Sequence, residues 1–114
     1  MLSVQEVAII CGKRHDELAP MDLARTLAKN KTMFFITRDG DPLFPAYQFG
    51  NAGVKPVIAR ILNILSPRRS SWDITAWFWG SNGWLGGDSP EDCLDSESDL
   101  VLDAAFQEVA EELE

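Results

Sequence analysis

Met33-Phe34-Phe35-Ile36-Thr37-Arg38-Asp39-Gly40-Asp41-Pro42-Leu43-Phe44-Pro45-Ala46-Tyr47 is the stretch that sets the architecture. Asp-Gly between two β-prone runs is a strong hairpin signal, because a type I′ turn needs positive φ at both central residues. Pro42 and Pro45 have no N–H to give to a ladder, so the returning strand is expected at an edge. Tyr47-Gln48-Phe49 then closes the hairpin against what precedes it, with Arg38 at the tip.

Upstream, Ser3-Val4-Gln5-Glu6 fits a capping box, in which the serine oxygen accepts an early helical N–H and Glu6 reaches back. Val4, Val7, Ala8 and Cys11 recur at helical spacing, so a helix ending near Gly12 faces a core. A second helix is expected from Pro20, with Leu23, Ala24, Leu27 and Ala28 buried and Asn30 at its end. Two short helices, a polar connection and a hairpin have the layout of a small winged helix-turn-helix head over residues 1–50.

Downstream, Asn51-Ala52-Gly53 marks a loop, and a helix from about Lys55 to Leu65 carries a wide apolar face of Val57, Ile58, Ile61, Leu62 and Leu65. Surplus from that face is expected to form a homodimer interface. Ser70 or Ser71 caps a helix through Trp79, ended by Gly80. All four tryptophans lie between Trp72 and Trp84. Trp72 and Trp77 read as core, whereas Trp79 and Trp84 flank loop glycines. Ser89-Pro90-Glu91-Asp92 opens a short helix. The final helix, from about Asp99, has Leu102, Phe106, Val109 and Leu113 on one seam and Asp103, Gln107, Glu108 and Glu111 on the other face. The fold class is therefore mainly α with a small β-hairpin, and the second domain spans residues 54–114.

Charge is segregated along the chain. Residues through Ser70 hold all ten bases and six acids, while Ser71 to Glu114 holds twelve acids and no base. Such a division suggests different partners for the two parts. No apolar run approaches the roughly 20 residues of a membrane span, and the first residues carry an acid where a signal peptide has bases, which points to the cytoplasm. Cys11, Cys93 and the one histidine, His15, lack the spacing of a disulfide framework or zinc site, so both cysteines read as small buried apolar residues. No phosphate-cradling loop, dinucleotide fingerprint, nucleophile elbow or paired histidines are present, and His15 beside Asp16 and Glu17 reads as a solvated connection. The chain reads as non-enzymatic, without cofactor or metal.

The order Trp77-Phe78, Asn82, Leu85-Gly86-Gly87, Ser89-Pro90, Leu94-Asp95, Val101 and Ala104-Ala105 resembles the C-terminal toxin-binding domain of the Xre/MbcA/ParS class of bacterial antitoxins. Leu43-Phe44-Pro45-Ala46-Tyr47-Gln48-Phe49 is similar to the step that joins an excisionase-like winged head to this domain in some relatives. The resemblance implies a dimeric antitoxin of a type II toxin–antitoxin system. Such an antitoxin occludes the active site of a cognate toxin, commonly of the NAD-degrading RES fold, and regulates its own operon.

Beside that implication stands the chemistry of the residues. A pyrophosphate-binding cleft is lined by bases or helix N-termini, so the acids Glu108, Glu111, Glu112 and Glu114 would be drawn to it. Affinity then needs anchors, and Trp79, Trp84 and Leu85, with Gly86, Gly87 and Asp88 on the same loop, are the expected partner-binding set. Lys13, Arg14, Arg25, Lys29, Lys31 and Arg38 form the candidate DNA-facing set, which supports a second reading as a winged-helix transcriptional regulator. A third reading is an adaptor that binds some other protein through the tryptophan and Gly-Gly region.

Overall fold

A computed structural model describes residues 1–12, 18–110 and 112. The fold is mainly helical with a small antiparallel sheet. The chain divides into two compact units, Met1–Ala59 and Arg60–Glu114. Among the described residues no helix is long and apolar enough to cross a membrane.

The first unit opens with strand β1 (Leu2–Ser3), which runs into helix α1 (Val4–Ile10). The capping box forms: Ser3 N donates to Glu6 Oε1 at 3.0 Å, and Glu6 N donates to Ser3 Oγ at 3.2 Å. The bond from the Ser3 backbone, helped by its hydroxyl, holds the Glu6 carboxyl below its ordinary range. Helix α2 (Pro20–Leu27) has proline at its first position. Strands β2 (Ile36–Arg38) and β3 (Asp41–Phe44) form the expected hairpin, with Asp39 at φ 53° and Gly40 at φ 85°.

The sheet order is β1-β3-β2, so β3 is central and the edge position expected from its prolines is corrected. Pro42 stands opposite Thr37, while β1 pairs only with Leu43 and Phe44. In a hairpin with a two-residue turn, the second pair points its N–H groups away from the partner strand. The N–H that Pro42 lacks would thus face the side of β1, beyond the end of that strand.

Val4, Val7, Ala8, Leu23, Ala24, Leu27, Met33 and Phe44 form the core of this unit, with Phe35, Phe49 and Val54 packed on it. Cys11 is half-buried rather than buried, because it caps the end of α1. A 3-10 turn (Ala46–Gln48) follows β3, then a two-stranded ladder of β4 (Phe49–Gly50) and β5 (Gly53–Val54) around the expected loop. Gln48 is completely buried. Its Oε1 accepts from Phe34 N at 2.8 Å, and its Nε2 donates to Phe34 O at 2.9 Å and Pro45 O at 3.1 Å. One side-chain amide thus supplies Phe34 with both bonds that a neighbouring strand would give it.

Helix α3 (Pro56–Leu65) runs across the division between the units. Of the expected apolar face, Ile58, Ile61, Leu62 and Leu65 are buried within one chain and Val57 is half-buried.

The second unit adds α4 (Ser71–Trp79), a 3-10 turn (Gly83–Leu85), α5 (Pro90–Cys93) and α6 (Ser98–Ala110). The inward face of α6 is Val101, Ala104, Ala105 and Val109. Of the expected seam Val109 is buried, whereas Phe106 is 57% exposed and Leu102 only partly buried, which corrects those two; Leu113 lies outside the described residues. Two adjacent alanines admit close approach of a neighbour, where a bulky ring at Phe106 would hold the helix off. Cys93 is buried, and desolvation, added to by Asp88, Glu97 and Asp92, pushes its thiol pKa up.

Candidate protein-binding site

The tryptophan region is built on α4. Ser70 caps it, its Oγ accepting from Asp73 N at 3.1 Å, and Asp73 places an acid in the first turn. Ile74, Thr75 and Phe78 face inward, and Thr75 donates its hydroxyl to Ser71 O at 2.9 Å. Trp72, at 46%, and Trp79, at 49%, are exposed, so the core position expected for Trp72 is corrected. Residues 72, 76 and 79 share one helical face, and Ala76 is exposed with the tryptophans. The helix is therefore apolar on both sides. Trp77 is half-buried and meets Phe78 edge to face at 5.1 Å; its Nε1 is buried without a hydrogen-bond partner among the described residues.

The loop after α4 is fastened by Asn82. Its Oδ1 accepts from Trp84 N at 2.9 Å, its carbonyl accepts from Leu85 N at 3.0 Å and Gly87 N at 2.9 Å, and its own N–H donates to Asp88 O at 3.1 Å. Ser81 Oγ donates to Gly87 O at 2.7 Å. Gly86 and Gly87 take left-handed φ of 67° and 97°, the region glycine enters without steric cost. This geometry turns Trp84 outward, 55% exposed, and Leu85 inward, 9% exposed. Leu85 is accordingly corrected from exposed anchor to core residue: the 3-10 turn packs on α6, and Leu85 is the side chain it buries.

A groove of about 590 Å³ is lined by Trp77, Gly80, Asn82, Gly83, Trp84 and Glu108 among others. A second concavity of about 530 Å³ shares Ala76, Trp77 and Glu108 with it and adds Arg68, Arg69 and Asp73. In the second, Arg69 Nη2 reaches Glu108 Oε1 at 3.3 Å, and both terminal nitrogens of Arg69 bond the Glu112 carboxylate. The Arg69 side chain is 19% exposed. Its hydrogen bond, with its charge, holds the Glu112 carboxyl below the ordinary range.

Of the expected partner-binding residues, Trp84 and Glu108 meet at the first groove, Trp79 stands exposed at the end of α4, and Gly86, Gly87 and Asp88 lie exposed on the loop. Glu112 is tied to Arg69, while Glu111 and Glu114 lie outside the described residues. Sequence reasoning missed Arg69, although it is the last base before the acidic run, and missed Trp77 as a groove wall. In the first unit Arg25, Lys29, Lys31 and Arg38 are exposed, whereas Lys13 and Arg14 lie outside the described residues. Arg25 sits 3.6 Å from Asp22 in a solvent-exposed pair of small energetic weight.

No family model, curated protein or solved structure matches the chain.

Proposed function

We propose that the second unit is a protein-binding module, and that the protein is a non-enzymatic antitoxin that occludes the active site of a cognate toxin of the RES-type, NAD-degrading class. The observation that carries the protein-binding reading is α4, apolar on both faces, with Trp72 and Trp79 about half exposed on one of them. A helix apolar all round is ordinarily covered on all sides, and exposed tryptophans are the residues that most often dominate a protein interface. The antitoxin reading adds the resemblance of the Leu-Gly-Gly-x-Ser-Pro region, which folds here into the fastened loop presenting Trp84. Twelve acids against three bases in this unit favour a basic partner surface, as an active-site cleft for a pyrophosphate would be.

The test is co-expression with the product of the neighbouring gene, scored for growth and co-purification. Rescue of growth together with a stable complex is the expected result; a neighbour that is neither toxic nor retained overturns the antitoxin reading. A second reading, DNA binding by the first unit, is favoured by the exposure of Arg25, Lys29, Lys31 and Arg38 on α2, the turn after it and the hairpin. It predicts operator binding that weakens steeply with salt, and binding that ignores salt would contradict it.

A further inference from the structure

We propose that the groove bordered by α4, the loop after it and α6 receives an arginine side chain of the partner protein, held against the indoles of Trp77 and Trp84 and paired with Glu108. The proposal rests on the protein-binding reading of this unit and names the chemistry of what enters it.

The chain already contains one such pairing of its own. Two concavities share Ala76, Trp77 and Glu108 in their linings. In one of them the guanidinium of Arg69 is paired with Glu108. The other offers the same carboxylate and the same indole, adds a second indole at Trp84, and has no basic residue among the described residues that line it. No residue from Ser71 onward can supply a cation, since that stretch has no lysine or arginine.

The chemistry of the walls selects the occupant. Indole faces attract cations through the ring quadrupole, and they do so more strongly than other side-chain rings. Glu108 commits Oε1 to Arg69, and a carboxylate has about four lone-pair sites, so it can accept from a second guanidinium. Arginine suits the groove better than lysine because its planar, weakly hydrated head stacks on an indole while bonding a carboxylate in its own plane. The groove is open to solvent, and its volume, about 590 Å³, leaves room for an arginine with its flanking backbone. The Asn82 bonds fix the loop that carries Trp84, so little ordering remains to be done on binding.

The test titrates the full chain with a capped peptide of one arginine between alanines, and with the same peptide carrying citrulline, its uncharged isostere. The readout is the indole N–H resonance of each of the four tryptophans. Saturable shifts at Trp77 and Trp84, larger than at Trp72, are expected, with a Kd of about millimolar and at least about tenfold weaker binding for citrulline. Glu108→Gln should weaken the arginine peptide by about tenfold, and Trp84→Ala should abolish the response. Equal binding of the two peptides, shifts at Trp72 as large as at Trp84, or no response overturns the proposal. Capture of the co-expressed partner, measured in parallel, separates the two claims: a partner still held by a protein that ignores arginine removes the groove assignment and leaves the protein-binding reading standing. Loss of the partner from the wild-type chain removes that reading itself.

Discussion

Arg69 holds Glu112 through both terminal nitrogens of its guanidinium while its Nη2 also reaches Glu108, so one base ties down two acids a helical turn apart near the end of the chain. A partner that attracts this acidic segment competes with an internal cation. The pH dependence follows from the lowered Glu112 pKa. A carboxyl depressed in the folded state adds stability above its unfolded value and loses it as pH falls through its folded value. The melting temperature of Arg69→Ala should therefore lie below that of the wild type at pH 7, and the gap should close on acidification below about pH 4. The gap should also shrink in salt, since Glu112 is 41% exposed at its side chain. A gap unchanged between pH 7 and pH 3 would contradict the assignment.

Gln48 and Phe34 predict a large effect from a small change. Gln48→Ala removes the bonds that the amide makes to the N–H and C=O of Phe34 and opens a cavity in the core, so a loss of about 3–5 kcal/mol is expected. That is a large part of the roughly 5–15 kcal/mol by which a domain is stable. Gln48→Glu should be no better, because a carboxylate cannot donate to Phe34 O. Urea denaturation measures both, and a change under about 1 kcal/mol would show that the amide pair is dispensable.

The turn between β2 and β3 makes a matched pair of predictions. Gly40→Ala places a Cβ at φ 85° and should cost about 1–2 kcal/mol, although nothing lies within 4 Å of that carbon, because the strain is in the backbone. Asp39→Asn should be near neutral, since asparagine tolerates the left-handed region. Equal effects of the two substitutions on chemical denaturation would argue against a type I′ turn.

Trp77→Phe removes a buried indole N–H that has no hydrogen-bond partner among the described residues. The lost ring volume destabilises and the removed donor stabilises, so the net change is expected within about 1 kcal/mol. A loss above about 3 kcal/mol would mean that the indole N–H makes a bond in solution.

Local chemistry was legible where a few adjacent residues decide the outcome. Ser3 with Glu6, Pro20, Asp39-Gly40 and the Ser70-Ser71 pair each specify a cap or turn locally, and the structure has all of them, with Ser70 as the cap of α4. Non-local pairing was not legible. Leu2-Ser3 is too short to have a period, so β1 was missed; with it went the reason that Pro42 sits in a central strand. The α6 face was misread because large side chains were assumed to turn inward, whereas Ala104 and Ala105 do so and Phe106 does not. For the candidate site, Trp79 and Trp84 were legible from their flanking glycines. Trp72 was not, since a tryptophan in the first turn of a helix carries no local signal of what covers it.

The proposed protein binding of the second unit places Trp79 and Trp84 in the interface. The most direct measurement is the affinity of the co-expressed partner for the wild type and for the Trp79→Ala/Trp84→Ala double variant, with thermal melts of both. The account predicts a loss of binding of at least about 2 kcal/mol, roughly thirtyfold in Kd, with melting temperatures within a few degrees of each other. Undiminished affinity, or a variant that no longer unfolds cooperatively, would contradict it.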